Sequence, residues 1–420
     1  MWVRTKLKIG WADLMAGGLA CILPSNREKL TRKVEAYFAD DDRTIATYSV
    51  RSGFDLMIRA LDLDEGDEIL FSALNVKGMI TVARKAGLVP VPVDLDVDHM
   101  APSIDRLEQA ITHKSKILVV AHLFGCKIHL DPIFDLAHRH GLIVAEDCAQ
   151  AFNGRAYGGH DQADVAMFSF GPIKTATALG GALIRVADPD LRAHMRDLHQ
   201  TYPVQENRKQ LKRVLQFAML KIVTTRPVLG FLFRFFEARG RNYEDEIADR
   251  TRDVAPLGKV NQRRYRPSAG MLALMARRLY RFREGSLEER ARAGRRLADL
   301  IGNAVVMPGH GNLYHDYWVF PILVDDISVF VKRLRAAGFD ASNLPRSQAV
   351  AAPEGSAHLE PKIAAQALAD MLVVPCYPGM SEAEIARQAE IIRNVAAEVG
   401  SSRTKEYAKM GPQAAEALKS

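Results

Sequence analysis

A chain of 420 residues, 48% hydrophobic and 25% charged, is long enough for two domains with sizeable cores and is globular rather than disordered or fibrous in composition. No apolar run reaches bilayer length, and the four cysteines (Cys21, Cys126, Cys148, Cys376) are too dispersed for a zinc site or disulfide framework, so no metal is expected and a reducing cytoplasm fits. The net charge of +7 is concentrated mid-chain and not in a binding module, which sets nucleic acid aside as a partner.

The first residues, "MWVRTKLKIGWADLMAGGLACIL", are basic and then apolar, like a secretory leader. Asp13 interrupts the apolar stretch and no small-residue cleavage site follows, so they read as part of the mature fold. From about residue 44 to 186, short apolar strands alternate with amphipathic helices: "TIATYSV", "GFDLMIRALDL", "DEILFSA", "KGMITVARKAG", "LVPVPVDLD", "SKILVVAHLFG", "LDPIFDLAHRHG" and "LIVAEDCAQ". Such alternation predicts an α/β domain with a mostly parallel sheet covered on both faces, over residues 1–202. Ligands bind such sheets beyond the carboxyl ends of the strands, where His122, Asp147, Gln150 and Ser169 fall.

Residues 203–263 interleave basic and apolar side chains, as in "LKRVLQFAMLKIVTTRPVLGFLFRFFEARGRN". Such a segment either packs on protein, including a dimer partner, or lies against an anionic membrane surface. One long helix, "SAGMLALMARRLYRFREGSLEERARAGRRLADLIG", is then expected to lead into a smaller C-terminal α+β domain, the two together spanning 264–400. Residues 401–420 read as a loose tail.

Lys174 stands in "FSFGPIKTATALGGAL", among small and apolar residues. It reads either as a turn lysine reaching solvent or as an amine held out of water to form a Schiff base. Asp147 ends a buried strand, where a carboxylate caps a helix, binds a metal, or holds the proton of a pyridinium ring and so makes pyridoxal 5'-phosphate an electron sink. Ser52, Gly53 and Phe54 open a predicted helix, whose amides either favour a phosphate or are capped by Ser52. Ser169 offers a second hydroxyl five residues before Lys174. In the second domain, His315 and Tyr317 of "NLYHDYW" are candidate substrate-side residues, with a packing role for the histidine as the alternative.

At these residues the sequence resembles the DegT/DnrJ/EryC1/StrS aminotransferases, which are fold type I pyridoxal-phosphate enzymes. "HLFGCKIHLDPIFDLAHRHGLIVAEDCAQAF" is similar to the family's His-x-x-Gly segment, helix and Glu-Asp-x-Ala-Gln-Ala motif, and "FSFGPIKTATALGGAL" to its Ser-Phe-x-x-x-Lys signature. "SGFDLMIRALDLDEGDEI", "YHDYWVFPI" and "VVPCYPGMSEAEI" extend the likeness over residues 44 to 395, apart from 203–263. The resemblance implies that Lys174 is the Schiff-base lysine and proton shuttle, Asp147 the pyridinium partner and Gln150 a contact on the cofactor's ring hydroxyl side. It implies that Ser169, Gly53 and the Phe54 amide hold the phosphate, that glutamate is the amino donor, and that a homodimer shares its sites. A retained Lys174 argues against the family's dehydratase branch.

Four positions depart from the family pattern. Asn75-Val76 occupies the place of the aromatic that stacks on the cofactor ring, and Phe54 that of a threonine. Leu179 replaces an acidic residue, and Arg264-Tyr265-Arg266 replaces the Asn-Tyr-Arg element that reaches the neighbouring subunit's phosphate. The expected activity is transfer of an amino group to a keto group of a sugar, or of a lipid-linked or long-chain carbonyl compound. The alternatives are another pyridoxal-phosphate reaction, decarboxylation or condensation, or a non-catalytic membrane-peripheral protein at the inner face of the membrane.

Overall fold

The computed structural model describes residues 1–3, 7–39, 42–225, 227–228, 264–344 and 347–400. Two helices, α1 (Trp11–Ile22) and α2 (Arg27–Glu35), precede the first strand, β1 (Thr44–Thr47). There follow α3 (Val50–Leu61), β2 (Glu68–Ser72), β3 (Leu74–Val76), α4 (Lys77–Lys85), β4 (Val89–Val93), the short β5 (Leu95–Asp96) and β6 (Ala101–Pro102), and α5 (Ile104–Ala110). The domain continues through β7 (Ser115–Ala121), β8 (Cys126–Lys127), α6 (Asp131–Arg139), β9 (Ile143–Asp147), β10 (Val165–Ser169), β11 (Ala182–Val186), α7 (Pro189–Gln200) and α8 (Asn207–Val223).

Seven strands form one sheet in the order β1-β11-β10-β9-β7-β2-β4. Only β11 runs against its neighbours; the pairings among β10, β9, β7, β2 and β4 are parallel. Alternate residues feed two cores: Leu118, Val120 and Val144 point to one face, and Ile117, Val119 and Ala145 to the other. Burial on both faces explains why these strands read as continuous apolar runs. Because β7, β9 and β10 share a direction, Ala121, Asp147 and Ser169 end on one edge of the sheet.

The second half pairs Phe320–Leu323 antiparallel with Met371–Val374 and covers them with helices Ile327–Ala336 and Glu382–Val399. The last helix starts at a capping box in which Ser381 and Glu384 satisfy each other's backbone N–H groups. Three boundaries differ from the sequence reading. Trp2 belongs to this half, where its Nε1 donates to Glu384 Oε1 at 2.6 Å. The single helix expected after residue 267 is two, Ala269–Tyr280 and Gly285–Ile301. The first packs with α1, α2 and α8, because Met271, Leu272, Leu274 and Met275 all face the large-domain core. Of the 203–263 segment, α8 is a protein-packed helix through Val214 and Phe217. The remainder from 229, and the 401–420 tail, lie outside the described residues. Among those described, no helix is long and apolar enough to cross a membrane.

Candidate active site

Asp147 is the last residue of β9 and is buried. Its Oδ1 accepts from Ala149 N at 2.8 Å, and its carbonyl accepts from His122 N at 3.1 Å. Burial raises its pKa, against the opposing effects of the Ala149 N–H and the charge of Lys174. Lys174 lies in the turn after β10, where its N–H donates to Gly171 O and its carbonyl accepts from Thr177 N, both at 3.1 Å. Desolvation pulls the amine down to about 8; the charge of Asp147 opposes this and that of Arg51 adds to it. Its Nζ sits 4.4 Å from the centroid of the Trp318 ring, which comes from the second half of the chain. Trp318 Nε1 donates to Ile173 O at 3.0 Å, pinning the indole over the lysine turn.

Ser169 Oγ and Lys174 Cγ flank Gly171: a Cβ built there would lie 3.6 Å from the first and 3.9 Å from the second. Gln150 Oε1 accepts from Phe124 N at 2.9 Å, tying the loop after β7, where Phe124 has φ of 60°, to the loop after β9. Behind Asp147 lies a buried network. His122 Nδ1 accepts from Ile128 N at 3.2 Å, which puts the ring proton on Nε2, 2.7 Å from Glu146 Oε1. Tyr157 Oη donates to the same carboxylate oxygen, and His160 N donates to Oε2 at 2.7 Å. Burial opposes the charge of Glu146, but these donors more than offset it and hold the pKa at about 2. His122, Glu146 and Cys148 bring potential metal-ligand atoms within 4.8 Å of one another, yet both histidine nitrogens and both carboxylate oxygens are already engaged.

The helix expected to cradle a phosphate starts three residues earlier than the sequence reading. Ser49 is the cap: its Oγ accepts from Ser52 N at 3.2 Å and lies 2.9 Å from Ser52 Oγ. Gly53 N donates to Ser49 O at 3.0 Å, and Phe54 N lies in the second turn, inside the helical ladder. The outward-facing turn is therefore Val50 to Ser52, not Gly53 and Phe54. Phe54 is a core side chain against Phe71, and Gly53 answers to packing, since a Cβ there would lie 2.4 Å from Ile184. Arg51, which sequence reasoning passed over, occupies that first turn. Its side chain runs against α4, where a Cβ on Gly78 would lie 2.6 Å from Arg51 Cδ.

These strand ends hold an amine of depressed basicity beside a buried carboxylate, with a hydroxyl and a helix end close by. The sequence model of the DegT/DnrJ/EryC1/StrS aminotransferase family matches residues 15–239. The chain belongs to this family. It is 32% identical over 206 residues, 46% of the chain and 54% of the relative, to the dTDP-3-amino-3,4,6-trideoxy-alpha-D-glucose transaminase of Streptomyces venezuelae. It is 36% identical over 157 residues, 35% and 42% of the two chains, to the UDP-N-acetyl-3-dehydro-alpha-D-glucosamine 3-aminotransferase of Acidithiobacillus ferrooxidans. The chain thus spans about half the length of the curated relatives it matches. The aminotransferase TlmJ of Streptoalloteichus hindustanus superimposes with a TM-score of 0.68 over 95% of this chain and 100% of its own, at 17% identity. The fold is that of the fold type I aminotransferases.

Four further expected site residues, His315, Tyr317, Arg264 and Asn75, are placed as follows in this family member. His315 and Tyr317 stack on each other, rings 4.0 Å apart, with Tyr317 N donating to His315 Nδ1 at 2.9 Å. Tyr317 also stacks on Phe320 and bonds His310, while burial and the charges of His310 and Arg290 pull His315 down to about 3. They are a packing pair, because a neutral histidine and a ring fill the core of the second half. Between them Asp316 forms a buried ion pair with Arg290, which also donates from Nε to Asp316 O at 2.7 Å and from Nη1 to Thr175 Oγ1 at 3.3 Å. Arg290 thereby joins the second half to the residue beside Lys174. Arg264 grips Asp55 of its own chain, Nε to Oδ2 at 2.9 Å and Nη2 to Oδ1 at 3.0 Å. A buried carboxylate on α3 demands that partner, so two of its guanidinium nitrogens are committed within the chain. Asn75 is buried on β3, its Oδ1 accepting from Val76 N at 2.8 Å and its Nδ2 without a partner.

Proposed function

We propose that this chain is a pyridoxal-phosphate-dependent aminotransferase that moves an amino group from an amino-acid donor to a keto group of a sugar or of a lipid-linked or long-chain carbonyl compound. The observation that carries this reading is Lys174, whose amine is pulled down to about 8 at the edge where Asp147 and Ser169 end their strands. The residues present fit the cofactor: the orphaned donor of buried Asn75 calls for an acceptor, and Gly171 leaves the approach between Ser169 and Lys174 open. Lys174 and Asp147 would hold its carbonyl and ring-nitrogen ends, and Ser169, Ser52 and Arg51 its phosphate. Gln150, through its carboxamide nitrogen, would meet the ring hydroxyl side.

When bound, pyridoxal phosphate supplies a carbonyl that captures an amine and a ring that accepts electrons. Lys174 Nζ, pulled down to about 8, would hold the cofactor's carbonyl end and, when free, would carry a proton to and from the substrate carbon. Asp147, buried at the end of β9 with its pKa raised by burial, would accept the N–H of the ring nitrogen. The Glu146 network fixes the strand end on which Asp147 rides. Trp318 would hold the amine from one side, its ring centroid 4.4 Å from Nζ. A homodimer with shared sites is part of this reading, and light scattering reports it.

The test is release of the 2-oxo acid, one equivalent per subunit, when the loaded protein meets glutamate or another amino donor without an acceptor. Asn75 in place of a stacking ring favours a second reading, decarboxylation or condensation; carbon dioxide release or C–C bond formation with no 2-oxo acid would select it.

A further inference from the structure

α1 and α8 pack side by side and antiparallel: Gly18 approaches Leu211 and Val214, while Gly270 draws together Cys21 and Asn207, the end of one helix and the start of the other. Their outer faces are apolar. On α1 the spacing Trp11, Met15, Leu19, Ile22 makes one stripe, and on α8 the spacing Leu215, Met219, Ile222 makes another. Met15 and Met219 are each 68% exposed. The α8 stripe continues toward its start as Lys212 and Arg208, both exposed, so apolar and basic side chains share one line. α8 contains no acidic residue, and the one acid of α1, Asp13, is turned inward to Arg277 and Arg278 at 2.8 and 2.6 Å.

A contiguous apolar face of this kind calls for a cover. Isologous pairing of two copies would set Lys212 against its own kind, and the nearest acid, Glu206 just before α8, is already paired with Arg208 and Lys209. An anionic lipid surface satisfies both parts, since acyl chains take the methionines, leucines and Trp11, and headgroup phosphates take Lys212, with Arg208 beside it paired to Glu206. We propose that the α1–α8 face docks this protein on membranes carrying anionic lipid, as a peripheral contact independent of the catalytic reading. The enzyme would then meet an acceptor presented at a bilayer surface.

The experiment is flotation of the full-length, cofactor-loaded protein with phosphatidylcholine vesicles and with vesicles containing phosphatidylglycerol. The expected result is flotation with the anionic vesicles alone, weakened by salt, and lost in Met15→Glu/Met219→Glu with the circular dichroism and light-scattering mass unchanged. Lys212→Glu, which leaves the apolar stripe whole, should lower the partition about fivefold. Three results would overturn the proposal: no flotation of the wild type, flotation that survives both variants, or a fall in mass in the methionine variant, which would make the face a contact between copies.

Discussion

The amine of Lys174 lies 4.4 Å from the ring centroid of Trp318, so the second half of the chain closes directly on the reactive lysine of the first. A cation over an indole face gains about 0.5–2 kcal/mol depending on desolvation. Trp318 is one of three tryptophans; Trp2 and Trp11 lie at the opposite end of the sequence. Pyridoxal phosphate should therefore quench the wild-type emission by a fraction that disappears in Trp318→Phe. Equal quenching in both proteins would remove Trp318 from the site.

The depressed Lys174 fixes a pH dependence. Its folded pKa of about 8 lies below the ordinary lysine value of 10.5, so the unfolded chain holds the extra proton between these values. This amine's contribution to stability therefore rises as pH increases from about 8 towards 10.5, and its cost is fully present below 8. The rate at which the apoprotein captures pyridoxal phosphate should climb with a midpoint near 8 and level off. A rate still climbing steeply at pH 10, read by stopped-flow absorbance, would show an ordinary exposed lysine.

Arg51 stands in the first turn of α3, the helix start proposed above to hold the phosphate. Arg51→Ala should weaken pyridoxal phosphate about 10- to 100-fold, the worth of a hydrogen bond to a charged group, and leave pyridoxal, which has no phosphate, unchanged. Equilibrium titrations with both compounds separate the two. An equal loss for both would mean a general disturbance of the pocket.

The Arg290–Asp316 pair is buried, so Arg290→Leu leaves an uncompensated carboxylate and should cost about 3–5 kcal/mol in denaturant unfolding. Asp316→Asn added to that variant should recover part of the loss. A change under about 0.5 kcal/mol would mean that water reaches the carboxylate.

The parallel sheet and its active edge were legible because doubly buried strands leave an unmistakable apolar signature. Asp147, Ser169 and Lys174 follow from where those strands stop. The start of α3 was not legible: Ser49 and Ser52 are both plausible caps, and burial of Val50 makes the earlier one win. Trp318 escaped because its place over Lys174 depends on how two distant halves close, which no local pattern encodes. His315 and Tyr317, polar neighbours beside it in sequence, looked equally suited, but His315 at the end of a two-residue strand and Tyr317, with φ of 49°, are both buried. The Arg264–Asp55 pair was not legible for a similar reason, as Asp55 is placed only once α3 is packed.

The most direct test of the central claim is the visible absorption spectrum of the purified protein with pyridoxal phosphate, before and after glutamate or other amino donors, beside Lys174→Ala. A long-wavelength band that bleaches on addition of a donor in the wild type, and is missing or displaced in the variant, is the expected result. No band in the wild type, or an identical band and bleaching in Lys174→Ala, would contradict an aminotransferase working through Lys174.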